Sequence, residues 1–404
     1  MRILLVGAGG VGESFAMIAA RRPFFDALIV ADYDETRAQF VAQRTADPRV
    51  TARSIDARSA DSVAAAARES NADVVMNACD PRLNEPIFDG AFAASCTYVD
   101  MAMTLSAPHP EQPYERVGRT LGEYQFAAAD QWETAGLLAL VGMGVEPGLS
   151  DVFARYAADH LFETIDEIGV RDGANLQIEG YDFAPTFSIW TTIEECLNPP
   201  VVYDKAAGGF HTTTPFSEPE VFEFPDGIGP IECVNVEHEE VLLIPRWVDC
   251  NRVTFKYGLG NDFINVLQVL HQTGLDRTAP VQVGDATVSP RDVVAACLPN
   301  PAHLGDRMHG KTCAGTYVTG VGKNGQPRAV YLYHVVDNAD SMRDYGCQAV
   351  TWQTAINPVV ALELLATGRW AGTGVLGPEA FDSVPFLELL NDYGSPWGMQ
   401  DRPN

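Results

Sequence analysis

Residues 2–12, RILLVGAGGVG, decide the fold. Arg2 to Val6 form a short apolar run, closed at once by Gly7-Ala8-Gly9-Gly10-Val11-Gly12, and a helical pattern through Phe15, Ile18 and Ala19 follows. Strand, glycine turn and helix in that order make the first unit of a dinucleotide-binding fold. Gly7 permits the tight turn, Gly9 lets the backbone approach a pyrophosphate, and Gly12 allows the helix to pack closely on the strand. Helix N-terminal amides, those of Gly10 and Val11 among them, then face the anion. A second apolar run, Ala27 to Ala31, stops at Asp32, where a carboxylate is placed to accept hydrogen bonds from the adenosine ribose. A 2′-phosphate beside that carboxylate is repelled, so NAD is the expected cofactor; NADP stays open through Arg37, near enough to meet the phosphate if the loop bends.

The alternation continues through Val50 to Ile55, the Ala-rich helix Ser62 to Glu69, the strand Asp73 to Ala78, a helix near Ile87 to Ala94 and the strand Gly136 to Val141. Such alternation predicts a doubly wound parallel sheet, an α/β class. Ligands of these sheets lie outside the carboxyl ends of the strands, which places Asp56 and Ala57 by the adenine and Asn77, Ala78 and Cys79 beside the nicotinamide ribose. After Gly148 the texture changes to β-rich segments broken by Gly and Pro clusters, and it returns to helix at Val350 to Thr367, interrupted at Asn357-Pro358. The expected organisation is a Rossmann domain over 1–148, completed by 350–404 packing back on it, and an α+β substrate and dimerisation domain over 149–349. Between them, Gly142 to Asp151 forms a glycine-rich turn at the mouth of the sheet. It either brings the Gly144 backbone to the nicotinamide or serves as a hinge capped by Ser150, and it offers Glu146 as an acid or base.

The 404 residues carry 27 basic and 54 acidic side chains, a net charge of −27. That balance excludes nucleic-acid binding, which needs bases to neutralise phosphates, and suits a cationic or zwitterionic small substrate. Eight acids from Glu218 to Glu240 lie between Lys205 and Arg246 without a base among them; the reading is a solvated acidic strand face. Eight dispersed cysteines without a CxxC pair, and dispersed histidines, predict neither a disulfide framework nor a metal site. Met1 leads directly into a strand and no apolar run approaches a membrane span, so a cytoplasmic protein without a signal peptide or membrane contact is expected.

The segments VGAGGVG, VVMNACDP (74–81), YVDMA (98–102) and GMGVEPGLSDVFARYA (142–157) resemble the saccharopine dehydrogenase superfamily. Val293 to Gly315, YLYHVVD (331–337) and the closing PFLELLNDYGSPW (385–397) are most similar to its carboxynorspermidine dehydrogenase branch. The resemblance implies hydride transfer at a carbon–nitrogen bond of a small amine or amino acid, imine reduction or its reverse, in a homodimer. It also implies Arg307 and Lys311 as holders of a substrate carboxylate, His309 with Lys311 as proton-transfer groups, and Asp100, Phe187 and Trp190 as substrate contacts. Two features depart from the branch: Asp32 stands where a basic, NADP-type ending is usual, and Asp182 to Trp190 reads partly like the saccharopine and lysine dehydrogenases. Oxidative deamination of the lysine 6-dehydrogenase kind, and an NAD-binding sensor without catalysis, are the alternatives.

Overall fold

A computed structural model describes residues 1–403. Six strands alternate with helices in the first half: β1 (Arg2–Val6), β2 (Ala27–Asp32), β3 (Val50–Ser54), β4 (Val74–Asn77), β5 (Thr97–Val99) and β6 (Leu138–Leu140). With Gly374–Leu376 added from the far end of the chain they form one parallel sheet, ordered Gly374–Leu376, β6, β5, β4, β1, β2, β3. Ile3 to Val6 are fully buried, as a run covered by helices on both faces requires. The strand order reverses between β1 and β4, and a crevice opens there at the carboxyl ends.

The long helix Ala349–Ala366 returns to this domain and packs on Gly10–Ala19, with Ser14 Oγ donating to Thr351 Oγ1 at 3.0 Å. It runs unbroken through Pro358, contrary to the interruption the sequence suggests. The missing N–H costs one helical bond, but Ile356 to Leu362 are buried throughout, and that packing holds the helix together. The return to the first domain is incomplete: Gly398–Arg402 pairs instead with Pro327–Asp337 in the second sheet.

That second sheet has nine strands, built around Phe162–Ala174, Lys311–Gly322 and Pro327–Asp337. The helix Leu149–Tyr156 carries the chain from the first sheet to the second, and the carboxyl-terminal end of Phe162–Ala174 points its residues back toward the crevice. Among the described residues no helix is long and apolar enough to cross a membrane.

Candidate active site

The glycine turn has the shape a dinucleotide needs. Gly7 has φ +105, and a Cβ there would sit 2.6 Å from the Ala78 carbonyl oxygen; a Cβ on Gly12 would sit 2.0 Å from that of Gly7. Both positions therefore exclude a side chain, whereas space lies open beside Gly9, where a pyrophosphate would rest. No side chain caps the helix that begins at Gly10, which leaves its first amides free for an anion. Asp32 is anchored at the end of β2, Oδ2 accepting from Ala8 N at 2.7 Å and Oδ1 from Asp34 N at 3.0 Å. Arg37 donates Nε to the Ala8 carbonyl at 2.7 Å and pairs with Glu13, which also holds Arg44. These residues fit a nicotinamide dinucleotide.

From the turn a cleft of about 310 Å³ runs between the two sheets, within the size range of small-molecule sites. Gly9 to Val11 and Asn77 to Cys79 line one end; Glu146, Asp172, Glu195, His238, Glu239 and Tyr257 line the other. With Asp80 and Asp100, six carboxylates face the cleft, and among the described residues no lysine or arginine does. Burial pushes the carboxyl of Glu195 up to about 8 and that of Asp100 to about 7. Asp172 is pushed up by burial to about 6, held there against hydrogen bonds from Glu146 and Tyr257 and the charge of His238. Glu146, desolvated and facing Asp172, is raised far enough to keep a proton, so the two share one. Burial alone would lower the His238 imidazolium; the charge and hydrogen bond of Glu240, with the charges of Glu239 and Glu195, overcome it and hold the ring protonated up to about pH 10.

Local structure explains how these groups meet. A strand ends at Val234 and Asn235, Val236 follows it, and Val241 to Ile244 lie in the first turns of the helix Glu240–Trp247, all buried, so Glu237 to Glu240 between them are dragged into the interior. Asp100 is fixed after β5 by Gly142 N at 2.7 Å, Tyr98 Oη at 2.9 Å and Gln125 Nε2 at 2.6 Å, which leaves little of it for a substrate. One atom each from His238, Glu239 and Glu240 lies within 4.8 Å of the others, a spacing that could also hold a cation, although the sequence suggested no metal site. His238 Nδ1 is already engaged by Glu240 at 2.5 Å.

The saccharopine dehydrogenase NADP binding domain matches residues 3–140, and the saccharopine dehydrogenase C-terminal domain matches residues 144–395. The chain belongs to the saccharopine dehydrogenase family. It is an NAD(P)-dependent dehydrogenase. A carboxynorspermidine synthase of Vibrio alginolyticus is 29% identical over 411 residues, covering 99% of this chain and 97% of that protein. A carboxyaminopropylagmatine dehydrogenase of a Synechocystis species is 28% identical over 397 residues, covering 98% and 96%. Saccharopine dehydrogenase (L-Glu forming) from Saccharomyces cerevisiae shares the fold at 13% identity, with a TM-score of 0.71 and full coverage of both chains.

In this dehydrogenase the cleft gathers Gly9, Gly10, Val11, Asn77, Ala78, Cys79, Asp100, Glu146 and Phe187 from the residues singled out in the sequence. Gly7 and Gly12 shape the turn from behind, and Gly144 closes its own turn by donating to Pro147 O at 2.7 Å. Asp56 is paired with Arg58 at 3.0 Å, and neither it nor Ala57 lines the cleft. Trp190 is buried away from the lining, its ring faced by Arg82 at 3.9 Å and Arg291 at 4.6 Å. Arg307, His309 and Lys311 are not brought to the cleft. The two-residue strand Met308–His309 pairs with Gln177–Ile178, and alternation turns Met308 inward and His309 out. Arg307 is exposed near Tyr181, and Lys311 Nζ donates to the Asp226 carbonyl at 3.1 Å. Arg307→Ala and Lys311→Ala are each expected to leave kcat/KM within about threefold of wild type, the scale of exposed charges, in steady-state assays.

The residues that the sequence reading missed are Asp172, Glu195, His238 and Glu239. Of the eight acids read as a solvated face, Glu237, Glu239 and Glu240 are instead buried, because apolar runs flank them on both sides.

Proposed function

We propose that the cleft joins the amine of a diamine to the aldehyde of an amino acid by reducing their imine, a carboxynorspermidine-type reaction that also runs in reverse. The observation that carries this reading is the wall of six carboxylates without a lysine or arginine. A diamine reacts through one neutral nitrogen while the other stays ammonium, and that charge needs an anionic partner in a desolvated site. The names of the two relatives, a carboxynorspermidine synthase and a carboxyaminopropylagmatine dehydrogenase, support a carboxylated polyamine product. The neutral amine adds to the aldehyde carbon, its proton passing to the oxygen; the resulting hydroxyl leaves as water with a proton from His238, giving the protonated imine. A nicotinamide bound in the cleft would supply the hydride, and its addition to the carbon of the protonated imine gives the secondary amine. Asp32 and the engagement of Arg37 by Glu13 favour NAD over NADP.

The raised carboxyls set a pH dependence. At pH 6 Glu195 holds its proton and offers less charge to an ammonium; as pH rises through about 8 it ionises and binds it. The KM for the diamine is therefore expected to fall about tenfold per proton released between pH 6 and 8, measured with the aldehyde and NADH saturating.

Substrate screening tests the reading. NADH oxidation that requires both a diamine and an amino-acid aldehyde supports it. NAD reduction by lysine alone would establish oxidative deamination instead, and tight NAD binding without turnover of any amine would establish a sensor. We also propose a homodimer, for which the exposed Val269, Val281, Val283 and Val293 offer an apolar surface; light scattering at a monomer mass would count against it.

A further inference from the structure

We infer that Glu240 is a positioning residue, held by Ser150, that fixes the orientation and charge of His238 for proton transfer in the cleft. The inference rests on the assignment of His238 as the acid in the proposed reaction, and the two can fail separately.

Glu240 is wholly buried at the start of the helix Glu240–Trp247, so its carboxylate is kept by its contacts and not by water. One oxygen meets His238 Nδ1 at 2.5 Å, and the other accepts from Ser150 Oγ at 2.9 Å. Ser150 is itself tied down, its carbonyl accepting from Thr316 Oγ1 at 2.8 Å. The His238 ring lies parallel to Phe255, 3.8 Å between centroids and 8° between planes. Phe255 fixes the plane of the ring and Glu240 fixes its rotation within that plane. Among the described residues His238 Nε2 has no hydrogen-bond partner, on a side chain that lines the cleft. An acid whose one nitrogen is clamped by a carboxylate presents the other to the substrate in a single orientation, the logic by which a buried acid orients a catalytic histidine.

Other charged groups act on the same ring. Glu239 lies 3.4 Å from Nδ1, and Glu195 and Asp172 face it across the cleft. Glu146, Asp151 and Glu379 crowd Glu240 from the linking turn, the helix Leu149–Tyr156 and the C-terminal segment. Glu239 alone can supply charge to the imidazolium, but only Glu240 is itself held by a hydroxyl from the segment that links the two domains. The column Ser150–Glu240–His238 thus ties the geometry of that link to the orientation of the acid.

The test is Glu240→Gln, which keeps the shape and can still hydrogen-bond the ring but removes the charge. NMR titration of the His238 ring protons, in the protein with NADH bound, is expected to show its ionisation drop by two pH units or more. The kcat at pH 8 should fall about 10- to 100-fold, the lower part of the range for a general acid, with the diamine KM and the NADH Kd within about threefold. Glu240→Asp is expected to restore the titration in part, and Ser150→Ala to lower kcat by a smaller factor. An unchanged His238 titration in Glu240→Gln would overturn the inference, as would a loss of kcat with the wild-type titration retained. If the Gln variant does not fold, Glu240→Asp decides: a wild-type titration and kcat there overturn the inference, and a lowered titration supports it. His238→Ala without loss of kcat would instead remove the acid assignment, whatever Glu240 does to the ring.

Discussion

Replacing His238 with alanine is expected to lower kcat for imine reduction by about 10²- to 10⁴-fold while leaving the NADH Kd unchanged. The expectation follows from where the charge sits. Six carboxylates face the cleft, and among the described residues, with no lysine or arginine in the lining, His238 is the one cationic side chain there. Glu240 holds the imidazolium charged up to about pH 10, so at neutral pH it can give a proton to a departing hydroxyl. The neighbouring carboxyls of Glu195 and Glu146 hold protons too, but they are drawn to ionise once an ammonium binds, which removes them as donors when they are needed. The wild-type kcat should accordingly decline above about pH 10, provided the amine and cofactor stay saturating. Presteady-state mixing of His238→Ala with preformed imine, which bypasses dehydration, is expected to recover most of the lost rate. A variant that is slow even with preformed imine would move the role of His238 from dehydration to the hydride step.

The second large effect is expected in cofactor choice. NADH should bind the wild-type protein about 50- to 100-fold more tightly than NADPH, and Asp32→Ala should reduce that gap to a few-fold. A carboxylate about 4 Å from a phosphate charge costs roughly 4 kcal/mol at an effective dielectric of 20, of which solvent and salt remove a share, leaving about 2 to 3 kcal/mol. Asp32 cannot swing clear without releasing the Ala8 and Asp34 amides it accepts from. Arg37 cannot easily compensate, because Glu13 and the Ala8 carbonyl already occupy its guanidinium. Arg53 and Arg58 are likewise paired, with Glu69 and Asp56. Fluorescence titration of both cofactors decides the matter without turnover. Equal affinities, or tighter NADPH, would show that the Asp32 loop rearranges on binding.

The cofactor half of the site was legible in the sequence because its chemistry depends on the backbone. Gly7, Gly9 and Gly12 are required by a turn whose contacts are local, and the end of β4 follows from strand order alone. Glu146 was legible by its place in a glycine-rich turn between domains. The substrate half was not, because it is assembled from segments far apart in the chain: Asp172 from a strand, Glu195 from a helix, and His238 and Glu239 from the approach to another helix. A signal for the last pair was nevertheless present. Glu237 to Glu240 sit between Val234-Asn235-Val236 and Val241-Leu242-Leu243-Ile244, and charges enclosed by apolar runs are buried with them, whereas a solvated face alternates. Arg307 and Lys311 stood out because their segment resembles the family's, but a resemblance of sequence does not fix direction, and strand alternation at Met308 turned the segment outward.

The central claim is that the acid-lined cleft holds the spare ammonium of a diamine, and calorimetric titration of the NADH-bound protein at pH 7 tests it most directly. The account predicts that 1,3-diaminopropane binds at least about tenfold more tightly than propylamine, one charge pair being worth roughly 1.4 kcal/mol or more in a desolvated site, and that binding releases protons to the buffer as Glu195 ionises. Equal affinities for the two amines, with no proton release, would contradict it.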